Sequence, residues 1–353
     1  MAVTIKRIAE LAGVSTGTVD RALHDRGRVD PKVAKRVKQI AEELHYQPNS
    51  VAKSLSIRGK KLKIAVILHI ETPNDFFSDV RAGILRAKEE IRDFGIGVEV
   101  YTCKDFDPAC QLARIEQAVA EGANAIVIVP INAQTIRDRL NMLHDQDFPV
   151  VFLSNTIENA DCLSFVGCDY HMAGEVTAGL LHSLRPKGGK LLLFSPSFQM
   201  RGHVLRAQGL KECLESDYPE ICLQEVYELS GDAIVDYQMT RQALEDWPDT
   251  DLIVCPGAYN GGNLQALGEA AGTFGTVCYD YSARAEAMIR QGQIAFALLQ
   301  SPQDQGYMAV KTLFDYLTSD RKPKYQNNYV RLMILIKENL SEVQRARREF
   351  FQE

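Results

Sequence analysis

Apolar positions in the first 46 residues recur every three or four places, a spacing that is typical of amphipathic helices. It predicts three helices, each with a capping residue at its start. They cover residues 5–12, about 15–23 and 31–44, and their caps are Thr4, Ser15 and Asp30. Gly13 ends the first helix, so the first two helices form a helix-turn-helix arrangement.

From Lys63 onward the pattern changes, and short continuous apolar runs alternate with amphipathic stretches. Such runs are typical of parallel strands that helices cover on both faces. The predicted strands are KIAVILH, GVEVYTC, AIVIVP, PVVFLS, KLLLFS, DLIVCP and GTVCYD, and two of the predicted helices cover residues 76–94 and 108–120. Because this part of the chain is too long for one sheet, we expect two doubly wound α/β lobes.

Charge is divided unevenly along the chain. Residues 1–61 hold 13 Lys and Arg against 6 Asp and Glu, a balance of +7, so the other 292 residues carry 27 against 40, or −13. A basic segment joined to an acidic body indicates a module that binds nucleic acid or a membrane surface. No apolar run reaches the roughly 18 residues of a membrane helix, and MAVTIKRIAELAG lacks the apolar centre of a secretion signal. We therefore expect a cytoplasmic protein without a membrane partner.

Cysteine and histidine show no spacing that predicts a metal site. The eight cysteines form no C-x-x-C pair, the seven histidines are scattered, and H-E-x-x-H does not occur. Most cysteines are expected to be reduced packing residues. Because G-x-S-x-G and paired catalytic carboxylates are also missing, the sequence predicts no cofactor, no metal and no catalytic residue.

The second helix has the composition of one that enters the major groove of DNA. Thr16, Gly17 and Thr18 give it a slim profile, and Arg21 can form a bidentate pair with guanine. A plain helical hairpin with an exposed arginine is the alternative for this helix by itself. The basic third helix and the linker QPNSVAKSLSIRGKK favour DNA reading.

The segment VTIKRIAELAGVSTGTVDRALHDRGRVDPKVAKRVKQIAEELHYQPNSVAKSL closely resembles the DNA-binding head of the LacI/GalR (lactose-repressor) family of bacterial transcription regulators. The matching marks are AGVS, TV-R, the charged third helix after Val29, and YQPNSVAKSL, whose last seven residues resemble the hinge helix of that family. The rest of the chain resembles, more loosely, the lobes of type I periplasmic binding proteins. The resemblance implies a head at residues 1–46, a hinge helix and linker at 47–61, and a two-lobed effector-binding and dimerisation domain at 62–353.

The resemblance also implies which residues contact DNA. Thr16 and Gly17 fall where the family reads bases, and Leu55 matches the leucine that paired hinge helices insert into a base step. The predicted DNA-binding residues are Thr4, Ser15, Thr16, Gly17, Thr18, Asp20, Arg21, Asn49, Ala52, Lys53 and Leu55. Asp20 stands where family members usually have serine, and Gly17 replaces a longer residue, so we expect an operator preference particular to this chain.

Candidate ligand-binding residues follow the predicted strands, because ligands of doubly wound sheets bind beyond the carboxyl ends of strands. A sugar or polyol needs an aromatic ring to stack on and polar groups around its rim. The candidates are Phe76, Phe77, Asn132, Asn155, Arg201, Arg206, Tyr259, Asn260, Asp280 and Gln300. The resemblance gives most weight to Phe77, Arg206, Asp280 and Gln300. Tyr259 is the alternative to Asn260, because AYNGGNLQAL departs from the usual Asn-Asp stretch of the family.

These observations predict a homodimeric, sequence-specific DNA-binding repressor, not an enzyme, which a carbohydrate or polyol controls allosterically from between the lobes. Its predicted partners are double-stranded operator DNA, that effector and a second copy of the chain. A sugar-processing enzyme or a transport-type binding protein with a helical appendage is the alternative. Turnover of a bound sugar would favour the enzyme, and a secretion signal the transport protein. The final segment, LSEVQRARREFFQE, predicts a surface helix.

Overall fold

The computed structural model describes residues 4–23, 28–44, 46, 57–69, 75–103, 106–259, 261–270, 274–319 and 321–351. The first three helices form a small head, as predicted: α1 (Ile5–Ala12), α2 (Thr16–Leu23) and α3 (Pro31–Glu43). The hydroxyl of Thr4 accepts a hydrogen bond from the Arg7 N–H, and the carboxylate of Asp30 accepts from two N–H groups of α3. Gly13 ends α1 with φ 65°, a left-handed conformation that glycine adopts without strain.

The head has its own apolar core. Ile8, Val19 and Val37, one from each helix, are fully buried against one another, and Tyr46 packs on the same cluster. Arg36 of α3 also donates a hydrogen bond to the carbonyl of Leu11 in α1 at 3.3 Å. Burial of one apolar stripe from each helix therefore fixes the three helices against one another and leaves the opposite face of α2 exposed.

The rest of the described chain forms two six-stranded sheets, as the alternating pattern predicted. The first has the order β11-β5-β4-β3-β1-β2 and the second β12-β10-β9-β8-β6-β7. All neighbours are parallel except β10 and β12, which run antiparallel. The strands are β1 (Lys63–Leu68), β2 (Gly97–Thr102), β3 (Ala125–Ile128), β4 (Val150–Leu153), β5 (Ser164–Gly167), β6 (Gly189–Ser195), β7 (Ile221–Glu228), β8 (Leu252–Pro256), β9 (Gly275–Tyr279), β10 (Phe296–Leu299), β11 (Asn327–Tyr329) and β12 (Met333–Leu335).

Helices cover both faces of each sheet. They are α4 (Asp75–Ile91), α5 (Pro108–Ala120), α6 (Gln134–Asp145), α7 (Tyr170–Leu184), α8 (Arg201–Asp217), α9 (Ala233–Asp246), α10 (Gly262–Glu269), α11 (Ala283–Arg290), α12 (Pro302–Ser319) and α13 (Leu340–Phe351). Helix α12 packs on α4 and α8 packs on α7. Among the described residues, no helix has the length and apolar character needed to cross a membrane.

The chain passes between the two sheets three times, after β5, after β10 and between β11 and β12. Each sheet with its helices is called a lobe here, lobe 1 containing β1 and lobe 2 containing β6. Because every strand but β12 is parallel to its neighbours, the carboxyl ends of the strands lie together at one edge of each lobe.

The end of the predicted linker packs with lobe 1. Ile57 is 4% exposed within the core that contains Ile64 and Ile91, and Arg58 Nε donates to the carbonyl of Asp93 at 2.8 Å. Ile57 is therefore part of the core of lobe 1, and the exposed Arg58 is hydrogen-bonded to the same lobe.

Candidate functional site

Helix α2 presents a narrow polar surface to solvent. Ser15, Thr16, Gly17 and Arg21 are exposed, while Val19 of the same helix is fully buried. The Ser15 hydroxyl accepts from the Thr18 N–H at 3.1 Å and caps the helix. No heavy atom lies closer than 3.9 Å to the position of a Cβ on Gly17, so the surface above this glycine is open.

Arg21 lies along this surface within reach of Thr18. One guanidinium nitrogen is 3.4 Å from the Thr18 hydroxyl, and another is 3.9 Å from the position of a Cβ on Gly17. The contact with Thr18 is exposed to solvent, so little opposes rotation of the long side chain toward a DNA base.

Asp20, a predicted DNA contact, is less exposed than Thr16, Gly17 and Arg21 of the same helix. It is half-buried. The pKa of Tyr46 is raised first by the burial of Tyr46 and second by the negative charge of Asp20. Thr4 is exposed at the start of α1, where it caps that helix. The predicted DNA contacts Asn49, Ala52, Lys53 and Leu55 lie outside the described residues, as does the predicted ligand contact Asn260.

A cavity of about 880 Å³ lies at the carboxyl ends of the strands of both lobes. Lobe 1 contributes residues that follow β1, β2 and β4, and lobe 2 contributes residues that end or follow β6, β7, β8, β9 and β10. The fold therefore brings together side chains that are far apart in the sequence, at the edge where doubly wound sheets bind ligands.

Six of the predicted ligand residues line this cavity, namely Phe76, Phe77, Arg206, Tyr259, Asp280 and Gln300. Asn132, Asn155 and Arg201 are not among the lining residues. Asn132 is exposed and accepts from Arg137, and Arg201 forms an ion pair with Glu158. Asn155 is fully buried, where it donates to the carbonyl of Pro130 and accepts from the Gly202 N–H. Its amide thus joins lobe 1 to the start of α8.

The lobe 2 wall contains two opposite charges, the buried Arg206 and the half-buried Asp280. Arg206 is 6% exposed, with its guanidinium carbon 3.9 Å from the ring centre of Tyr279. Burial raises the pKa of Asp280 to about 6, although the positive charge of Arg206 and the hydrogen bond from Gln300, at 2.6 Å, act in the opposite direction. Arg206 Nε and Asp280 Oδ1 are buried without a hydrogen-bond partner among the described residues. Both atoms remain available to a ligand.

His69 is a lining residue that the sequence did not single out. It is fully buried after β1, and burial lowers its pKa to about 3, so the imidazole is neutral. The Gln111 amide has its orientation fixed by the Ile131 N–H and the Val129 carbonyl, both at 2.9 Å. Its NH₂ group therefore faces His69 Nδ1, at 3.4 Å.

The proton of the neutral ring must then reside on Nε2, because Nδ1 accepts from Gln111. His69 Nε2 is also buried and has no partner among the described residues. His69 is thus a neutral hydrogen-bond donor in a wall that also contains Phe77 and Phe106, whose rings lie 6.4 and 5.2 Å from the imidazole. The signal in the sequence was its position at the end of the first strand, where a histidine ended an otherwise apolar run.

A chain of polar contacts joins the two lobes beside the cavity. Ser154, after β4, donates to Gln305 of α12 at 2.6 Å, and Gln305 donates to the carbonyl of Gln300 at 2.8 Å. Tyr170 donates from its hydroxyl to the carbonyl of Ser154. These contacts hold Gln300, and through it Asp280, in a defined place relative to lobe 1.

No group of three or more metal-binding side chains occurs among the described residues, and each of the eight cysteines is a free thiol. The fold and the site together define a class of protein: a two-lobed binding protein with a ligand cavity between the lobes, joined to a helix-turn-helix head.

Two protein families match the chain. A model described as bacterial regulatory proteins, lacI family, matches residues 4–49, and one described as periplasmic binding protein domain matches residues 64–321. The chain belongs to the lacI family of bacterial regulatory proteins, with a lobed part of the periplasmic binding protein class, and is a DNA-binding regulator of transcription.

Similar proteins agree with this assignment. The ribose operon repressor of Bacillus subtilis is 29% identical over 252 residues, which are 71% of this chain and 72% of that protein. Catabolite control protein A of Staphylococcus epidermidis is 24% identical over 231 residues, 65% and 66% of the two chains.

Solved structures share the fold. A chain described as a LacI transcriptional regulator from Bacteroides fragilis has a TM-score of 0.73 at 21% identity, with 80% of this chain and 99% of that chain covered. AraP, an arabinose binding protein from Geobacillus stearothermophilus, has a TM-score of 0.66 at 21% identity with the same coverage.

Proposed function

We propose that this protein is a homodimeric, cytoplasmic repressor whose affinity for operator DNA is controlled by a monosaccharide or polyol bound between the lobes. The observation that carries the effector class is the set of three buried, unpartnered polar atoms in a cavity with aromatic walls. These atoms are His69 Nε2, Arg206 Nε and Asp280 Oδ1.

The chemistry of the cavity suits a polyhydroxylated ligand. Phe76, Phe77 and Phe106 offer apolar ring surfaces for C–H groups. His69 and Arg206 offer donors, and Asp280 offers an acceptor, so one hydroxyl can donate while others accept. Leaving such groups buried and unsatisfied costs about 1–3 kcal/mol each, and a ligand hydroxyl recovers that free energy. The name of the Bacillus subtilis relative, a ribose operon repressor, supports a pentose among the candidates.

The DNA-binding part of the proposal rests on α2. Its exposed residues Ser15, Thr16, Gly17 and Arg21 form one slim surface on a basic head, which suits a major groove. One such head contacts few base pairs, so two heads on one dimer are needed for specific binding at cellular salt. A protein that works on the chromosome of a bacterium works in the cytoplasm.

The effector is tested by thermal unfolding of the full chain with a panel of pentoses, hexoses and their polyols. A sugar that binds only the folded lobes stabilises them by RT ln(1 + [L]/Kd), about 2.7 kcal/mol at one hundred times its Kd, and so raises the melting temperature. Arg206→Ala should abolish the shift. Arg201→Ala is the matched control, since Arg201 is an arginine of the same helix whose partner is Glu158. The absence of any shift in melting temperature across the panel would refute a sugar or polyol as the effector.

The DNA-binding surface is tested by titration of the protein with DNA from the promoter of its own gene, at fixed salt. Arg21→Ala should weaken specific binding by about 1–3 kcal/mol, the contribution of one bidentate contact to a guanine. Arg92→Ala, an exposed arginine in lobe 1, should leave it unchanged. Equal affinity of the Arg21 variant and the parent would place the reading surface elsewhere.

Two further measurements test the rest of the proposal. Sedimentation at micromolar concentration should show a dimer, with or without DNA. A sugar that shifts the melting temperature should be recovered unchanged after prolonged incubation with the protein. Conversion of the sugar would instead make the protein an enzyme.

A further inference from the structure

Two cysteines of lobe 1 lie in contact, three and four residues along the chain from Phe106 of the cavity wall. Cys103 directly follows β2 and Cys110 is the third residue of α5, and their sulfur atoms are 2.6 Å apart. A disulfide bond spans about 2.05 Å, so a small movement brings the two sulfurs to bonding distance.

The backbone around this pair is held on both sides. The N–H of Cys103 donates to the carbonyl of Leu68 at 3.0 Å, which continues the pairing of β1 with β2. Asp107 caps α5, and Arg114 of this helix donates to the carbonyl of Thr102 at 3.2 Å. The fold therefore keeps the strand end and the first turn of the helix together without a covalent bond.

We propose that Cys103 and Cys110 form a reversible disulfide bond, which makes this pair a redox-sensitive modification site that flanks Phe106, a residue of the cavity wall. Disulfides in proteins of a reducing compartment are mostly transient and redox-sensing, which fits a pair that is placed for bonding yet free. The inference rests on the proposed cytoplasmic location but not on the sugar or on DNA.

The oxidant we propose is a low-molecular-weight disulfide such as oxidised glutathione. Cys110 is half-buried and Cys103 is fully buried, so the Cys110 thiolate is the more accessible nucleophile. It attacks one sulfur of the reagent, forms a mixed disulfide and releases one glutathione thiol. Cys103 then loses its proton, attacks the Cys110 sulfur and releases the second thiol. The two cysteines lose two electrons, the reagent gains them, and the two released thiols carry both protons.

Burial and the neighbouring thiol of Cys110 raise the pKa of Cys103 to about 12. The second step is therefore the slower one at neutral pH, and the mixed disulfide on Cys110 is the species expected to accumulate first. Once Cys110 is modified, its hydrogen bond and the negative charge of its thiolate no longer raise the pKa of Cys103.

The bond would act on the cavity through Phe106. This residue lies between the two cysteines in the sequence, lines the cavity and packs 5.2 Å from the ring of His69. A disulfide closes residues 103–110 into a ring, which reduces the range of backbone conformations open to Phe106. The oxidation state of the pair would thereby set how rigidly Phe106 is held in the cavity wall.

The site is tested on the reduced full-length protein, incubated with oxidised glutathione at neutral pH, alkylated and digested with trypsin without reduction. Trypsin cuts after Arg92, Lys104 and Arg114, so the two cysteines fall in separate peptides, 93–104 and 105–114. We expect these peptides to be recovered joined in most molecules, and separate again after treatment with dithiothreitol. Hydrogen exchange at residues 104–109 should then be about threefold slower or more in the oxidised protein.

Three variants complete the test. Cys110→Ser and Cys103→Ala should each abolish the joined peptides and the change in exchange, and the second avoids placing a hydroxyl in a buried position. Cys222→Ser, which removes an exposed cysteine of lobe 2, should change neither. Joined peptides that form only in denaturant would overturn the proposed site. A bond that forms without any change in exchange would overturn its link to the cavity.

Discussion

His69 shows how one buried side chain obtains its role from a neighbour. Its position at a strand end was visible in the sequence, but its protonation state was not, because that depends on Gln111, which lies 42 residues away. The orientation of the Gln111 amide follows in turn from two backbone groups of the segment after β3. Periodicity can locate such a histidine; only the folded contacts establish that it is a neutral donor.

His69→Phe should weaken effector binding by about 1–3 kcal/mol, since the substitution keeps an aromatic ring and removes the donor that the ligand satisfies. The melting temperature without ligand should stay the same or rise, because an unpartnered buried group is lost. Isothermal titration with the sugar identified by thermal shift measures the first effect. His144→Phe, at an exposed position, is the control. Unchanged affinity in the His69 variant would show that Nε2 does not contact the ligand.

Asp280 makes the stability of the unliganded protein dependent on pH. Burial raises its pKa to about 6 from an ordinary value of 3.8, so between these values the folded state binds more protons than the unfolded state. Stability from this group is therefore present at low pH and is lost as pH rises through 6, up to about 3 kcal/mol. The folded protein retains this carboxylate at a cost, as expected of a group that serves binding.

Asp280→Asn should therefore stabilise the unliganded protein at pH 7.5 by up to about 3 kcal/mol and have little effect at pH 3.5, where both forms are neutral. Urea unfolding at the two pH values measures the difference. Asp161→Asn, at an exposed position, is the matched control. A destabilised variant at pH 7.5 would mean that attraction to Arg206 outweighs the burial of the charge.

At the scale of elements, the structure agrees best with the sequence where local signals are strong. The caps Thr4, Ser15 and Asp30 begin helices where predicted, and the seven named apolar runs are all strands. The other five strands, β5, β7, β10, β11 and β12, are not among those runs. Strand β7 lies at a sheet edge and is largely exposed, and β11, with the sequence NNY, is a strand only because β5 offers it hydrogen-bonding partners.

Two close helix pairs, one in each lobe, depend on glycine. A Cβ on Gly174 of α7 would lie 2.2 Å from the carbonyl oxygen of Arg206 in α8, and one on Gly83 of α4 would lie 1.9 Å from that of Gln303 in α12. The helices touch backbone to backbone at these points. The position of Arg206 in the cavity therefore depends on a residue that has no side chain and no contact with ligand.

Gly174→Ala should destabilise the protein by about 1–3 kcal/mol, the range for forcing a methyl group into a packed interior, and should also weaken effector binding by displacing α8. Gly179→Ala in the same helix is the control, because its Cβ would meet only the Tyr218 hydroxyl, at an ordinary 3.7 Å. That variant should be neutral or stabilised by about 0.5–1 kcal/mol through helix propensity. Thermal unfolding of both variants measures the change in stability, and sugar titration measures the change in effector affinity. Equal melting temperatures would show that α7 and α8 separate easily.

At the scale of the whole molecule, the last residues of the predicted linker lie against lobe 1. Ile57 is buried in its core and Arg58 is hydrogen-bonded to it, so a change in lobe 1 moves these residues with it. An effector that binds one arrangement of the lobes more tightly would thereby act on the head. By linkage, the factor by which effector changes operator affinity equals the factor by which operator changes effector affinity.

Arg58→Ala should reduce this coupling factor while leaving operator affinity without effector, and effector affinity without DNA, nearly unchanged. The substitution removes the hydrogen bond to the Asp93 carbonyl, worth about 1 kcal/mol or roughly fivefold in the factor, but no predicted DNA or ligand contact. Operator Kd measured with and without saturating sugar gives the factor, and sugar Kd with and without operator checks it independently. Lys60→Ala is the control, since Lys60 is an exposed residue of the same segment. If both variants kept the full factor, coupling would run through contacts other than the attachment of Arg58 to lobe 1.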